Sequence, residues 1–497
     1  MSNSSTQRIV DGLRAWIASA PPGAKVPTNR ELMAEYGASP VTVQKAMHAL
    51  NALGLVESRP GVGTFVRAVR APRAVDFGWQ TAALGSQHSR LPLVSSTQRS
   101  AAPDAISLHS GYPERDLLPE RLVRAALARA AKSEAAVTRS PVRGMPELQA
   151  WFAAELGQSV PAGVAPPTAR DVMIVSGSQS GLVSIFRSVV GSGRPLLIES
   201  PTYWGAILGA EQSGLTLVPV PSGPGGPDPE EVDRAFRQTG ARAFYAQPTF
   251  ANPTGIQWSP QRGQAILEVV REHGAFLIED DWAFDLAIDA EPAPLAAQDD
   301  SGHVIYIRSL TKSVSPALRV AAVIARGPIR DRIVADQGSE AMYVSGVLQT
   351  AALDVVTQPG WRSHLRAFRN QARIRRDLLV ESLREHTPDA ILERVPAGGL
   401  NLWLRLPDGT DVERLVRDCE TRGLIIAPGT EWFPAEPANA YVRLNYSGPA
   451  PDRFPDAARI LQAAIEEQHL RASEWLQTST IGNSGVPVES AHHDEGG

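Results

Sequence analysis

The chain has 497 residues, of which 43% are hydrophobic and 20% are charged, as in a soluble globular protein of two to four domains. Its single cysteine, Cys419, excludes an internal disulfide framework and a multi-cysteine metal site. The absence of any run of eighteen apolar residues, and of an apolar N-terminal signal region, predicts a cytoplasmic protein. The first 70 residues carry eight basic and four acidic side chains, although the whole chain has a net charge of −5, and a basic head is compatible with a nucleic-acid partner.

Residues 1–70 show the spacing and the capping residues of three helices. Apolar residues recur at helical spacing between positions 9 and 17. Thr28 is the predicted N-cap of a second helix that ends at Gly37, and Ser39 is the predicted N-cap of a third. Two helices joined by a tight turn with glycine are typical of a helix-turn-helix. A predicted two-stranded hairpin, or wing, follows the third helix.

This head resembles the GntR family of bacterial winged helix-turn-helix regulators, in four motifs: Pro22-Gly23, Pro27-Thr28-Asn29-Arg30-Glu31-Leu32, Ser39-Pro40-Val41-Thr42-Val43-Gln44-Lys45-Ala46 and Gly61-Val62-Gly63-Thr64-Phe65-Val66. The resemblance implies double-stranded DNA as the partner, and it places five residues at DNA-contacting positions or the wing tip: Arg30, Ser39, Thr42, Gln44 and Gly61. Pro40 and Gln44 occupy positions that are often arginine in the family, so base preference does not carry over. The alternative is a helical hairpin that serves as a dimerisation cap.

Two segments lack a sustained hydrophobic period. Residues 71–105 are rich in alanine, serine, arginine and proline, and we interpret them as a linker that lets the head move. Residues 471–497 turn to serine, glycine, asparagine, threonine and acidic residues, which predicts a disordered tail. The pair His492 and His493 in that tail is interpreted as solvent-exposed, so no metal site is predicted.

Between them, residues 106–470 alternate strand-like and helical apolar runs, the pattern of an α/β fold with a mainly parallel sheet. The predicted strand at residues 172–175 turns through small residues at 176–180 into a helix. Such a turn leaves backbone N–H groups free at the positive end of the helix dipole, where a phosphate is favoured. Polar or aromatic side chains end three further predicted strands: Tyr203, Asn252 and the run Glu279-Asp280-Asp281. Ligands of open α/β folds bind at this edge of the sheet.

Lys312 follows another predicted strand, at residues 304–309. Only four of the 48 basic residues are lysines, and lysine, unlike arginine, can lose its proton and attack a carbonyl. A lysine retained here suggests amine chemistry, although a chance surface lysine is the alternative. A phosphate site, an aromatic face, a carboxylate and an imine-forming lysine together suit pyridoxal phosphate.

The body resembles the fold type I aminotransferases, and with the GntR-like head the chain looks like the MocR subfamily of regulators. The motifs are Gly177-Ser178-Gln179, Glu199-Ser200-Pro201-Thr202-Tyr203, Asn252-Pro253-Thr254-Gly255, Glu279-Asp280-Asp281, Ser309-Leu310-Thr311-Lys312 with Arg319, Pro396-Ala397-Gly398-Gly399 and Arg443.

The resemblance implies a role for each matching residue toward the cofactor. Lys312 would form the Schiff base, Asp280 would pair with the pyridinium nitrogen, Tyr203 would stack on the ring and Asn252 would hydrogen-bond the ring oxygen. The phosphate would be held by the turn that begins at Gly177, with Ser178, Gln179, Ser309, Thr311 and Arg319. Arg443 would clamp the carboxylate of an amino-acid ligand, a structural ion pair being the alternative.

The sequence departs from that family at two positions. A tyrosine usual soon after the acidic pair is replaced by Trp282, which we expect at the ring oxygen, and indole donates a hydrogen bond but cannot accept one. A tyrosine usual before Gly144, which reaches the partner subunit's phosphate, is missing, and Arg139 or Arg143 could substitute.

These observations predict a homodimeric transcription regulator that binds pyridoxal phosphate and responds to an amine, to an amino acid or to the cofactor itself. The alternative is an aminotransferase with an accessory DNA-binding head. Because of Trp282, the first interpretation includes turnover far below the typical enzymatic rate of about 10 per second.

Overall fold

A computed structural model describes residues 5–67, 80, 83 and 94–482, with the backbone alone for 472–482. The chain divides into two compact units, Met1–Gln87 and His88–Gly497, and each is described by itself. Within the residues just given, no helix combines the length and the apolar character that a membrane span requires.

The head contains the three helices and the wing that the sequence predicts. Its helices are Ser5–Ser19, Asn29–Tyr36 and Pro40–Ala52, and its antiparallel strands are β1, Val56–Arg59, and β2, Gly63–Val66. One face of each helix and the inward side chains of the wing form a small apolar core around Ile9, Leu32 and Val43. The winged helix-turn-helix is therefore confirmed.

The predicted caps set the two helices of the helix-turn-helix. Thr28 and Glu31 form a capping box, in which Thr28 Oγ1 accepts from Glu31 N at 3.3 Å and Glu31 Oε2 accepts from Thr28 N at 2.7 Å. Gly37 ends this helix with φ 59°, a left-handed conformation that glycine adopts without a steric cost. Ser39 then accepts from Thr42 N at 3.2 Å and begins the third helix.

The body is built on an eight-stranded sheet of order β4-β11-β10-β9-β8-β5-β6-β7, after a short strand β3, Ile106–Ser107. Its strands are β4 Val172–Val175, β5 Pro195–Ser200, β6 Thr216–Gly223, β7 Gly226–Pro227, β8 Ala243–Ala246, β9 Phe276–Asp281, β10 Val304–Ser309 and β11 Ala321–Ile324. The central strands β6, β5, β8, β9 and β10 run parallel, and β11 pairs antiparallel with both neighbours. Strands β4, β8, β10 and β11 are buried along their whole length, as expected for a sheet that is covered on both faces.

Helices of the body cover this sheet and a smaller one. They are Glu120–Ala130, Pro146–Gly157, Ser178–Ile185, Trp204–Gln212, Pro229–Thr239, Pro260–Glu272, Pro328–Glu340, Gly346–Thr357, Pro359–His386, Val412–Thr421 and Phe454–Gly482. The smaller sheet has the order β12-β13-β16-β15, with β12 Ile391–Leu392, β13 Asn401–Arg405, β15 Ala427–Pro428 and β16 Tyr441–Asn445. A fourth sheet pairs β14, Leu424–Ile425, with β3. The mainly parallel α/β body is therefore confirmed.

Two predicted boundaries were wrong. Residues 94–105, predicted as linker, begin the body instead, because Ser95, Ser96 and Thr97 are buried there and hydrogen-bonded. The final helix continues to Gly482, beyond the predicted start of the tail at 471, and the strong helix formers Ala472, Glu474 and Leu476 in that stretch favour this extension. Most of the predicted linker, and residues 483–497 of the tail with His492 and His493, lie outside the described residues.

Candidate functional site

A pocket lies where the carboxyl ends of the parallel strands meet. Seven residues that the sequence singled out line it: Ser178, Tyr203, Asn252, Asp280, Trp282, Lys312 and Arg443. Six others complete the lining: Thr97, Gln98, Gly111, Tyr112, Trp204 and Gln247. Residues far apart in the sequence thus converge on one cavity at the predicted edge of the sheet.

Lys312 lies in the turn that follows β10, with its amine inside the pocket. Nζ donates to the carbonyl oxygen of Gly111 at 2.6 Å and lies 3.2 Å from the ring centroid of Tyr112. Burial lowers the pKa of this amine well below 10.5, and the charges of Arg443 and Arg319 lower it further, against the opposite effect of Asp280. A neutral amine is the form of lysine that attacks a carbonyl.

Asp280 lies in β9, opposite that turn. Its Oδ2 accepts from Tyr245 Oη and from Gln247 Nε2, both at 2.8 Å, whereas its buried Oδ1 has no hydrogen-bond partner among the described residues. Burial raises the pKa of Asp280 to about 6, although these two hydrogen bonds and Lys312 favour the charged form. One carboxylate oxygen is therefore fixed, and the other is left for a donor from a ligand.

Gln247 is held in turn by a second buried carboxylate. Glu199, at the end of β5, accepts from Gln247 N at 2.8 Å, from Ser222 Oγ at 3.0 Å and from Trp258 Nε1 at 3.2 Å. Burial raises the pKa of Glu199 to about 7, and these three donors act in the opposite direction. Hydrogen bonds thus run from β5 through Gln247 to Asp280 and restrict its orientation.

The turn that carries Lys312 is held by a different buried network. Ser313 Oγ donates to Asp285 Oδ2 at 2.7 Å, and Arg308 Nη2 donates to Asp285 Oδ1 at 2.9 Å. The Arg308 guanidinium lies 3.8 Å from the ring centroid of Phe284 and is 2% exposed as a side chain. Because Ser313 adjoins Lys312, this ion pair positions the lysine backbone.

The predicted phosphate residues meet at the N-terminus of the helix Ser178–Ile185. Gly177 precedes it with φ 86°, and a Cβ added there would lie 2.8 Å from Arg319 Cζ, so only glycine admits this guanidinium. Thr311 Oγ1 is buried without a hydrogen-bond partner, and Ser309 Oγ accepts from Thr311 N at 3.1 Å. The free N–H groups of the helix's first turn complete a site suited to a phosphate.

The side chain of Gln179 has a structural role in this arrangement. Its Nε2 donates to the carbonyl oxygen of Gly205 at 2.7 Å, so this amide group already has a partner. The backbone N–H of Gln179, in the first turn of the helix, is the part of the residue that can face a phosphate.

Arg443, in β16, is a fully buried cation. Its Nη2 donates to the carbonyl oxygens of His109 at 2.6 Å and Ser110 at 3.1 Å, and its Nη1 donates to Asn252 Oδ1 at 3.3 Å. Burial lowers the pKa of Arg443 to about 9, against the attraction of Glu431. Among the described residues, no carboxylate oxygen lies within ion-pair distance of Arg443, so the alternative of a structural ion pair is not what these contacts show.

Trp282 differs from its expected role. Its indole N–H donates to the carbonyl oxygen of Phe250 at 3.1 Å, and indole has no second donor. The expectation that this N–H reaches a ring oxygen is therefore wrong, because a backbone carbonyl already accepts it. Trp282 contributes an apolar face to the pocket.

The other candidate residues lie away from this pocket. Arg143 Nη2 pairs with Asp331 Oδ1 at 2.8 Å, and Arg139 is exposed. In the head, four of the five predicted DNA-contacting residues are exposed and the fifth, Thr42, is half-buried at the start of the third helix; the exposed ones are Arg30, Ser39, Gln44 and Gly61.

Sequence reasoning missed the pocket residues that come from before the sheet. Gly111 and Tyr112 occupy a loop after β3, and Thr97 and Gln98 belong to the segment interpreted as linker. Their only local signal is the aromatic in Ser110-Gly111-Tyr112-Pro113, which many turns would share. Their place beside Lys312 follows from packing across the whole body.

The chain resembles two groups of known proteins. The uncharacterized HTH-type transcriptional regulator YdfD of Bacillus subtilis (strain 168) is 26% identical over 437 residues, which cover 86% of this chain and 89% of that protein. The probable rhizopine catabolism regulatory protein MocR of Rhizobium meliloti is 28% identical over 450 residues, which cover 89% of each. The solved structure of LysN, an alpha-aminoadipate aminotransferase from Thermus thermophilus, superimposes with a TM-score of 0.68 and 26% identity, and covers 73% of this chain and 93% of that one.

Two families account for most of the sequence. Residues 5–66 match the family of bacterial regulatory proteins, gntR family, and residues 103–458 match aminotransferase class I and II. Because the second match spans well over half of the 497 residues, the chain belongs to the aminotransferase class I and II family, and it carries in front of that domain the gntR-type helix-turn-helix of regulators such as MocR.

Proposed function

We propose that this protein is a transcription regulator whose head binds DNA and whose body binds pyridoxal phosphate at Lys312 and responds to an amine or amino acid. The single observation that carries the proposal is the buried pair of Lys312 and Asp280 in a chain that also has a gntR-type head. An aminotransferase has no need of such a head, and a regulator without a ligand site has no need of a buried neutral amine.

The residues of the pocket fit pyridoxal phosphate. The unpartnered Oδ1 of Asp280 suits a protonated ring nitrogen, and the unpartnered Oγ1 of Thr311 suits a phosphate oxygen. Arg319 lies against Gly177 at the helix N-terminus, where phosphate charge is favoured. When bound, this cofactor would supply an aldehyde that condenses with amines and a ring that accepts electrons.

Each residue of the chain then has a defined task. Lys312 would provide the amine that binds the cofactor, and Asp280 would hold a proton on the ring nitrogen, since an ionised carboxylate beside that atom favours its protonated form. Tyr203, with its ring in the pocket, would stack on the cofactor, and Asn252 would orient it from the opposite strand end. Ser178, Ser309, Thr311 and Arg319 would hold the phosphate.

Arg443 supports an amino acid as the second ligand. A buried guanidinium without a carboxylate partner is costly, and a ligand carboxylate would supply the missing charge. Its Nε is buried and has no hydrogen-bond partner in the described part of the chain, and the three bonds above use three of its five N–H groups, so two donors are still available. Arginine binds a carboxylate in a two-point geometry that fixes the orientation of the ligand.

A second candidate function is transamination. It is favoured because the residues that would hold both the cofactor and an amino acid are all present. However, the group expected to donate to the ring oxygen, the N–H of Trp282, is not available, because it donates to the carbonyl oxygen of Phe250. Transamination steps in which a tyrosine hydroxyl beside the ring oxygen assists proton transfer would lack that hydroxyl here, because Trp282 takes its place. We therefore favour a bound state that lasts, which suits a sensor, over rapid turnover.

We also propose that two copies of the chain assemble. Val137 is 82% exposed and Val142 is 52% exposed, and Met342 is 65% exposed in a turn of the same body. A patch of large exposed apolar side chains is typical of a surface that another subunit covers. Arg139 is the better candidate to reach a partner's site, because Arg143 is already paired with Asp331.

Replacement of Lys312 tests the cofactor assignment. Lys312→Ala removes the amine, and we expect the visible absorption band of the purified protein with added pyridoxal phosphate to disappear. Lys132→Ala, which changes an exposed lysine of the same body, should leave the band intact. Visible absorption spectra of the two variants and the wild-type protein make the comparison. An unchanged band in Lys312→Ala would rule out the assignment.

Gly177→Ala tests the phosphate site. The new Cβ would displace Arg319, and we expect pyridoxal phosphate to bind at least about tenfold more weakly, which corresponds to about 1.4 kcal/mol. Gly191→Ala is the matched control, since Gly191 has φ 84° but nothing within 4 Å of an added Cβ. Both changes strain the backbone, and only the first reaches Arg319. Equal losses of affinity in a cofactor titration would contradict this role.

The head is tested by separating phosphate contacts from base contacts. Arg30→Ala should weaken binding to every DNA sequence and reduce its dependence on salt, because it removes one cation near the backbone. Gln44→Ala should mainly relax base preference, by about 1 to 3 kcal/mol at one position if it contacts an adenine edge. Gel-shift titrations on the upstream region of the protein's own gene and on random DNA provide the measurement. Equal losses on both DNAs for Gln44→Ala would refute base recognition by this residue.

A further inference from the structure

Residues 95–98 lie in the segment predicted as linker, and yet they are part of the body. Ser95 is 2% exposed, and Ser96 and Thr97 are each 8% exposed, although all three are small and polar. Ser95 caps a short 3₁₀ helix, Ser96–Gln98, by accepting from Thr97 N at 3.2 Å. Buried polar groups require hydrogen-bond partners. Most partners of these three residues lie within the segment itself or on one distant residue.

That distant residue is Glu431, which is 6% exposed. Its Oε2 accepts from Ser95 Oγ at 2.5 Å, and its Oε1 accepts from Ser96 N at 2.9 Å. Both oxygens of one carboxylate thus hold the start of the body. Charge-assisted hydrogen bonds to a carboxylate are about twice as strong as neutral ones.

The same short helix that carries Glu431 also contacts Arg443, which lines the pocket. This helix is Gly429–Trp432, and the Trp432 ring lies 4.8 Å from the Arg443 guanidinium. The carbonyl oxygen of Trp432 accepts from Thr202 N at 2.8 Å, beside Tyr203. Thr97 and Gln98, which belong to the segment that Glu431 holds, line the same pocket.

We propose that Thr97 and Gln98 determine which amino acid the pocket accepts, and that Glu431 is the positioning residue that holds them there. A ligand whose carboxylate binds Arg443 would direct its side chain at these two residues. The Gln98 amide offers donors and an acceptor, and Thr97 Oγ1, which donates to Ser95 Oγ at 3.0 Å, still offers an acceptor. The ligand class is therefore an α-amino acid with a hydrogen-bonding side chain. The inference rests on the proposed function, because it presupposes a ligand at Lys312 and Arg443.

Ligand binding would then stabilise the segment that leads, along the chain, to the head. Coupling between two equilibria is reciprocal. A ligand that contacts Thr97 and Gln98 therefore stabilises residues 95–98 in their bound position, and release of these residues lowers the affinity for the ligand. The segment is a part of the body that can open locally without unfolding the whole. Ligand binding in the pocket would therefore affect the C-terminal part of the predicted linker.

Trypsin reports release of the segment at Arg99. The backbone of Arg99 is held at its carbonyl oxygen, which lies 2.8 Å from His109 Nε2, and its side chain pairs with Glu420 at 2.5 Å. Cleavage after Arg99 therefore requires local opening. The rate is measured by mass spectrometry on the full-length protein, with N-(5'-phosphopyridoxyl)-L-glutamine or N-(5'-phosphopyridoxyl)glycine bound. These probes share the cofactor and the carboxylate and differ only in the side chain.

We expect the glutamine probe to slow cleavage after Arg99 at least about fivefold more than the glycine probe, the lower end of typical couplings between sites. Gln98→Ala should abolish this difference between the two probes. Ser95→Ala and Glu431→Gln should both raise cleavage and reduce discrimination between the probes, which general destabilisation would not do. Glu413→Gln, which removes a charge from an exposed carboxylate that accepts from Thr430 Oγ1 on the same short helix, should behave as wild type.

The outcomes separate this inference from the proposed function. Equal affinity for the two probes, with equal cleavage after Arg99, would overturn the inference and leave the cofactor site standing. Failure of both probes to bind the wild-type protein would overturn the proposed function, and the inference with it. If both Ser95→Ala and Glu431→Gln still distinguish the two probes as the wild-type protein does, Glu431 does not position Thr97 and Gln98.

Discussion

The burial of the Lys312 amine is the constraint on which the rest of the site depends. An amine that keeps its proton cannot attack a carbonyl, and here burial together with Arg443 and Arg319 lowers its pKa well below 10.5. In the proposed function those two arginines also bind the ligand carboxylate and the phosphate. The same two arginines would thus help to keep the amine neutral and bind the anions of the ligands, so one electrostatic arrangement would serve both purposes.

Such a concentration of buried charge is stable only because surrounding groups satisfy it. Glu199 and Gln247 hold Asp280 from one side, and Asp285 with Arg308 holds the lysine turn from the other. Each network is anchored on a different strand of the parallel sheet, whose carboxyl ends meet at the pocket. Two oxygens that lack a partner among the described residues, Asp280 Oδ1 and Thr311 Oγ1, belong to residues that would contact the proposed cofactor.

Features encoded within a few residues could be predicted from the sequence. Asp280 lies near the end of a strand, Lys312 follows one, and each matches a short motif. The caps at Thr28 and Ser39 depend on neighbours three residues away. The bond of Trp282 to Phe250 could not be predicted, since it spans 32 residues, and the contact of Ser95 with Glu431 spans 336. Contacts of that range depend on how the finished body packs, which no local pattern encodes.

The pH dependence of cofactor attachment tests the central claim most directly. The rate at which pyridoxal phosphate attaches to the full-length protein should rise as the Lys312 amine loses its proton and level off well below pH 10.5, since its pKa is lowered. Nα-acetyl-lysine under the same conditions supplies the profile of an ordinary amine, and Lys312→Ala supplies the background. A protein profile that coincides with that of Nα-acetyl-lysine would contradict the account, because the amine would then not be held neutral by its surroundings.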